Sequence, residues 1–164
     1  MTTEELNILL AETVSSLGEV QVDEDFIDFR NKSKDKFKAN RRDEETRLKN
    51  ADCLLLEYTL IKNKLVEASI DKVHDICVQD LKIDLKCIES SWYSPKTDNI
   101  PWMLEGIKNG LLTHFAFYHM TRPPRPLKAG DKINFEYIKA EDAMTVFNNL
   151  KLSKFNDGYY FGVK

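Results

Sequence analysis

Asp75, Asp84 and Lys86 are the residues in this chain whose types and spacing suit a reaction. Ile83, Leu85 and Cys87 alternate with Asp84 and Lys86, so on a strand the carboxylate and the ammonium share one face about 7 Å apart. Asp75 falls in the preceding short apolar run and enters from the neighbouring strand. Two carboxylates converging with a lysine can hold a hard divalent cation and steer a water, the apparatus of metal-assisted phosphodiester hydrolysis.

The elements that must position these groups follow from periodicity. Thr2 and Glu5 form a capping box ahead of Leu6, Leu9, Leu10, Val14 and Leu17, which predicts an amphipathic helix over residues 3–16 ending at Gly18. A longer helix is predicted over 43–64, with Leu48, Leu54, Leu55, Leu60, Ile61 and Leu65 as its apolar face. The two short strands within 73–88 come next. A loop over 90–99, a helix over 101–111, an aromatic-rich strand over 113–120 and a strand over 132–138 follow. Pro123, Pro124 and Pro126 keep the last two strands apart. A helix over 141–150 and a strand over 159–163 close the chain. The fold class is therefore α/β, a mixed sheet with helices packed against it.

Within the second helix, Glu57 has Cys53 and Leu54 behind it and Leu60 and Ile61 ahead at helical spacing, which puts a carboxylate in an apolar stripe. A buried carboxylate must be neutralised, paired or bound to metal. Either it lies at the stripe's edge or pairs with Lys62 or Lys86, or it faces the same cleft as Asp75, Asp84 and Lys86.

Charge is unevenly distributed behind a net −3. Residues 1–29 carry eight acidic side chains and no Lys or Arg, and read as an acidic N-terminal helical arm ahead of a core domain over 30–164. Residues 30–42 reverse the sign: Arg30, Lys32, Lys34, Lys36, Lys38, Arg41 and Arg42 stand against Asp35 alone, the footprint of a phosphate-contacting segment or a solvated face. At 164 residues and 42% hydrophobic, the chain can bury one sizeable core. No apolar run approaches the roughly 18 residues of a membrane helix. Cys53, Cys77 and Cys87 all fall in apolar segments and suit reduced thiols, hence a cytoplasmic setting. His74 and Cys77, with Cys87 and His114 or His119, offer soft ligands, but no close Cys-x-x-Cys pair accompanies them.

A helical Glu, an Asp on a strand and an Asp-x-Lys on the adjoining strand resemble the PD-(D/E)XK nucleases, the restriction-endonuclease-like superfamily. The pattern stands here as Glu57, Asp75 and Asp84-Leu85-Lys86, with eight residues between the aspartates, and the resemblance spans roughly residues 40–140. Residue 74 is His where the family's name carries Pro, and Asp80-Leu81-Lys82 is a second Asp-x-Lys in a turn-like stretch.

The resemblance implies a restriction-endonuclease-like fold and a Mg²⁺-dependent endonuclease on DNA, with Mn²⁺ substituting and RNA also a candidate substrate. Asp75, Asp84, the Leu85 carbonyl and Glu57 would hold the metal, and Lys86 would orient or activate the attacking water. Lys34, Lys36, Lys38, Arg41, Arg42, Arg122 and Arg125 are the candidate nucleic-acid contacts. Trp92 and Trp102 can stack on unpaired bases. Small nucleases that cut both strands often act as homodimers. The compact Lys- and Asn-rich chain has the style of a phage-encoded product, which also admits a catalytically silent inhibitor or adaptor binding a host protein or nucleic acid.

Overall fold

The computed structural model describes residues 1–34, 43–69, 74–154 and 158–164. Its centre is a mixed sheet, and the reason lies in the sequence of the middle strands. β3 (Ile76–Val78) and β4 (Leu81–Cys87) are joined by a turn in which Gln79 takes the left-handed conformation (φ 54°), so they pair antiparallel. From β4 the chain crosses over through β5 (Trp92–Tyr93), a 3₁₀ turn (Thr97–Asn99) and α5 (Ile100–Lys108). It returns as β6 (His114–Thr121), which pairs parallel with β4. A parallel pair needs such a crossover, and a helix inside it covers one sheet face. β7 (Lys132–Asp142) runs back antiparallel to β6, with a bulge opposite Phe117 and Tyr118. β2 (Glu67–Ala68) on one edge and β1 (Val20–Gln21) on the other complete the order β1-β7-β6-β4-β3-β2. A second small sheet, β5-β9-β8, adds β8 (Lys151–Leu152) and β9 (Tyr159–Gly162).

The alternation of β6 divides the interior into two layers. Ala116 and Tyr118 join one cluster with Leu6, Leu10 and Val14 of α1 (Thr3–Leu17) and Leu56 and Leu60 of α4 (Leu55–Lys62). Phe115 and Phe117 join the opposite cluster with Tyr93, Met103, Val146 of α6 (Ala143–Asn148) and Phe161. A strand covered on both faces should be apolar without alternation, and five consecutive residues of β6, His114 to Tyr118, are buried. The acidic N-terminal stretch is part of this core, because α1 lies in the first layer.

α1 keeps its predicted capping box, with Thr2 and Glu5 exchanging hydrogen bonds. It is fastened to β7 by Asn7, whose Oδ1 accepts from Tyr137 Oη and Ala140 N, both at 2.7 Å, and whose Nδ2 donates to Ala140 O at 3.1 Å. Asn7→Ala strips these bonds and leaves Ala140 N–H without its partner. It is expected to lower stability by about 1–3 kcal/mol in a denaturant titration, more than the roughly 1 kcal/mol expected for the Thr2→Ala cap variant.

Two expectations are corrected and one unforeseen helix is added. The helix expected over 43–64 is two helices, α3 (Glu44–Ala51) and α4, separated by a 3₁₀ turn at Asp52–Leu54. Asp52 is pulled to Arg30 and to Leu127 N, and the Cys53 carbonyl accepts from Tyr118 Oη at 2.7 Å, so long-range partners tighten this turn. Residues 24–33 form a helix, α2 (Glu24–Ser33), capped by Asp23 on Phe26 N. Its acidic start and its Arg30 and Lys32 end complement the helix dipole. β7 runs on to Asp142, which caps α6 through Thr145 N, and so trims the helix expected over 141–150.

Candidate functional site

The ladder between β3 and β4 ends at Ile76 opposite Ile83. Asp75 lies one residue before β3, outside the ladder, and its N donates to Ile83 O at 2.9 Å, which holds it against β4 beside Asp84. Beyond this point β4 loses its neighbour on that side, and the Asp75 carboxylate takes over by accepting from Leu85 N at 2.7 Å. The divergence opens a pocket of about 330 Å³ lined by Glu57, Asp75, Asp84, Leu85 and Lys86, with Asn50, Cys53 and Cys87 on its other walls. The sequence pattern on two strands and a helix is thus brought to one place.

Electrostatics there are strained in one direction. Burial pushes the Asp75 carboxyl well above the usual carboxylate range, and the charge of Asp84, a hydrogen bond with it and the charge of Glu57 add to the effect. Two carboxyls sharing one site disfavour each other's ionisation. Lys86 Nζ lies 3.1 Å from Asp84 Oδ2 and 5.8 Å from the centre of the Tyr93 ring. Burial alone would lower its pKa, but the attraction of Asp84, Tyr93 and Asp75 outweighs burial and holds the ammonium charged above the ordinary lysine range.

Among the described residues, no group of three or more His, Cys, Asp or Glu side chains is arranged to hold a metal ion. The donor chemistry nevertheless fits a hard cation. Asp75, Asp84 and Glu57 offer oxygens alone, and a positive ion between them would relieve the repulsion that raises Asp75.

That repulsion has a measurable consequence in metal-free protein. A carboxyl whose folded pKa is raised supplies its stabilisation below the unfolded pKa of about 3.9, and that stabilisation is lost as pH rises through the folded value. Asp75→Asn keeps an oxygen for Leu85 N and can donate to Asp84. It is expected to melt above the wild type at neutral pH, with the difference shrinking as pH falls toward 4. Thermal melts in EDTA across this range check it, and an Asn variant that melts lower at pH 7 and higher at pH 4 would reverse the sign.

The other candidates separate from the pocket. Arg30 is buried, with 6% of its surface exposed, and binds Asp52 and Leu127 O, so its charge serves the interior and not a phosphate. Lys34 pairs with Glu44. Lys36, Lys38, Arg41 and Arg42 lie outside the described residues. Arg122 turns inward, donating to Lys49 O at 2.9 Å, Glu89 Oε1 at 2.6 Å and Cys53 Sγ at 3.5 Å. Arg125 makes two bonds to Asp131. Lys62 pairs with Asp23. Of the second Asp-x-Lys, Asp80 is exposed in the turn before β4, and Lys82 lies opposite Cys77.

The soft-ligand set does not assemble. His74 Nε2 lies 3.1 Å from Cys77 Sγ, but His114 sits between Thr3 and Thr113, and His119 faces the Ile88 carbonyl. Cys87 is instead a neighbour of Cys53, and this proximity, with a smaller contribution from Arg122 and against burial, lowers the Cys53 thiol to about 7. Trp92 and Trp102 are both about half exposed. The Cys53–Cys87 pairing and the Tyr93 ring beside Lys86 escaped the sequence reading; the one hint was Cys53 one helical turn before Glu57. Among the described residues, no helix is long and apolar enough to cross a membrane. Compared with known proteins, the chain matches no protein-family model, no curated protein and no solved structure.

Proposed function

We propose that the chain is a Mg²⁺-dependent nuclease of restriction-endonuclease-like architecture, an endonuclease hydrolysing phosphodiester bonds in DNA. The observation that carries this reading is the Asp75 and Asp84 carboxyls side by side, with Lys86 paired to Asp84 and Glu57 in their field, in one pocket where two strands part. The order of a helix bearing Glu57, a strand entered at Asp75 and an adjoining strand bearing Asp84 and Lys86 supports it.

Asp75, Asp84, Glu57 and the Leu85 carbonyl are the groups that would hold the cation. Bound there, it supplies positive charge opposite the reacting phosphate and makes water more acidic. Lys86, held protonated by its acidic neighbours, orients the attacking water and stabilises negative charge as it builds on the phosphoryl oxygens. Asp75, paired to Leu85 N, fixes the backbone of the strand that carries Asp84 and Lys86.

Supercoiled plasmid incubated with purified protein is expected to be nicked or linearised with Mg²⁺ or Mn²⁺ and to stay intact with EDTA. No cleavage of plasmid, branched DNA, single strands or RNA with either metal would overturn the proposal. The second reading is a catalytically silent inhibitor or adaptor, and that negative result would put it ahead.

A further inference from the structure

Cys53 and Cys87 lie far apart in sequence and meet on one wall of the pocket, Cys53 in the turn that enters α4 and Cys87 at the end of β4. Each thiol is the strongest electrostatic neighbour of the other. Tyr118 holds both ends of the pair: it lies opposite Cys87 in the β4–β6 register, and its hydroxyl donates to the Cys53 carbonyl at 2.7 Å. Arg122 places a guanidinium nitrogen 3.5 Å from Cys53 Sγ and is itself anchored on Lys49 O and Glu89. A cation at that distance favours the thiolate, the form that attacks electrophiles. Neither thiol is sealed off, since each is half-buried and lines the pocket.

We propose that Cys53 and Cys87 form a peroxide-sensitive dithiol that closes to a disulfide beside the pocket. The Cys53 thiolate attacks one oxygen of a peroxide, the O–O bond breaks, and the leaving hydroxide takes a proton to become water, which leaves a sulfenic acid on Cys53. The Cys87 sulfur then attacks the Cys53 sulfur, the S–O bond breaks, and a second water departs. Two thiols lose two protons and two electrons, and one hydrogen peroxide takes them up to become two waters. The bond requires the sulfurs to close to about 2.05 Å. That ties the entrance of α4, one turn before Glu57, to the end of β4, next to Lys86, and takes the thiolate away from Arg122. An effect on cleavage rests on the proposed nuclease reading; formation of the bond does not.

The test is non-reducing peptide mapping of the full chain. Reduced protein is treated with a few equivalents of hydrogen peroxide, remaining thiols are alkylated, and the digest is weighed. The expected product joins the Cys53 and Cys87 peptides with the loss of two hydrogens, disappears with dithiothreitol, forms faster in folded than in urea-unfolded protein, and leaves Cys77 alkylated. In Cys87→Ser, dimedone is expected to trap a sulfenic acid on Cys53. Separate over-oxidation of the two cysteines, bridges that involve Cys77 equally, or a linkage that forms no faster in the folded chain would each overturn the proposal. The wild-type map needs no variant to fold, and mass is read independently of DNA cleavage, so failure here and failure of the nuclease reading are distinct results.

Discussion

Plasmid incubated with Asp84→Asn protein and Mg²⁺ is expected to remain supercoiled under conditions in which the wild type nicks it, with a rate lower by on the order of 10²- to 10³-fold. Asn has nearly the size of Asp, and the strand around residue 84 is held by five register pairs with β6, so the fold should survive. What changes is charge. The site loses an anionic oxygen that would face the cation, and Lys86 loses the partner 3.1 Å away that places its ammonium. Lys86→Ala is expected to reduce cleavage comparably through the second half of this pair, since a group that stabilises developing charge acts from a fixed position. Circular dichroism and melting curves confirm that both variants are folded. Cleavage by either variant at the wild-type rate would remove the pair from the chemistry and point to another protein in the preparation as the source of nicking. Asp80→Asn, in the exposed turn, is the matched control and is expected to cleave normally.

The largest effect on stability is expected from Arg30→Ala. Arg30 Nη1 donates to Asp52 Oδ1 at 2.9 Å and to the Leu127 carbonyl, while Asp52 Oδ2 accepts from Leu127 N at 2.9 Å. Asp52 is fully buried. This knot ties α2 to the turn between α3 and α4 and to the segment after the prolines. Removing the guanidinium leaves a buried carboxylate without its counter-charge, a change that costs about 3–5 kcal/mol where such pairs have been broken. Against a total stability of roughly 5–15 kcal/mol, the melting temperature should fall by on the order of 10 °C. Replacing both partners, as in Arg30→Met with Asp52→Leu, should lose less than the sum of the single changes, yet not recover the wild type, because Leu127 N–H and C=O are both left without partners.

The pH dependence of this knot has a definite sign. Burial raises the Asp52 carboxyl above its ordinary value even though Leu127 N–H and Arg30 oppose the rise. Stabilisation from a raised carboxyl is present below its unfolded pKa of about 3.9 and is lost as pH rises through the folded one. Without Arg30 the folded value climbs further, so Arg30→Ala should regain part of its deficit on mild acidification. Melts of wild type and variant between pH 4 and 7 check this. A deficit that is constant over the range would show that Asp52 does not take up a proton when its partner is removed.

Arg30 also shows where reading along the chain misleads. Its charge belongs to a run of basic residues, and composition assigns the run to phosphate contact or solvent. Which of its members turns inward depends on Asp52 and Leu127, 22 and 97 residues away in sequence. Arg122 repeats the lesson: it is basic and proline-flanked, and its nitrogens are engaged by Lys49, Cys53 and Glu89. Glu57, by contrast, was legible, because a carboxylate among Cys53, Leu54, Leu60 and Ile61 breaks an apolar stripe, and that break led to the pocket.

By itself the sequence determined the mixed α/β character, the capped helix α1 and the alternation of β4 that turns Asp84 and Lys86 to one face, while Asp75, expected on the strand before it, lies one residue ahead of that strand. These are consequences of side-chain period and local hydrogen bonding, which operate over a few residues. Tertiary structure alone decided that the helix after residue 43 breaks at Asp52, that the Asp75 and Asp84 carboxyls come together where β3 and β4 part, and that Cys53 and Cys87 share a pocket wall. Each depends on a partner distant in sequence, and only packing the two layers against the sheet brings those partners within hydrogen-bonding distance.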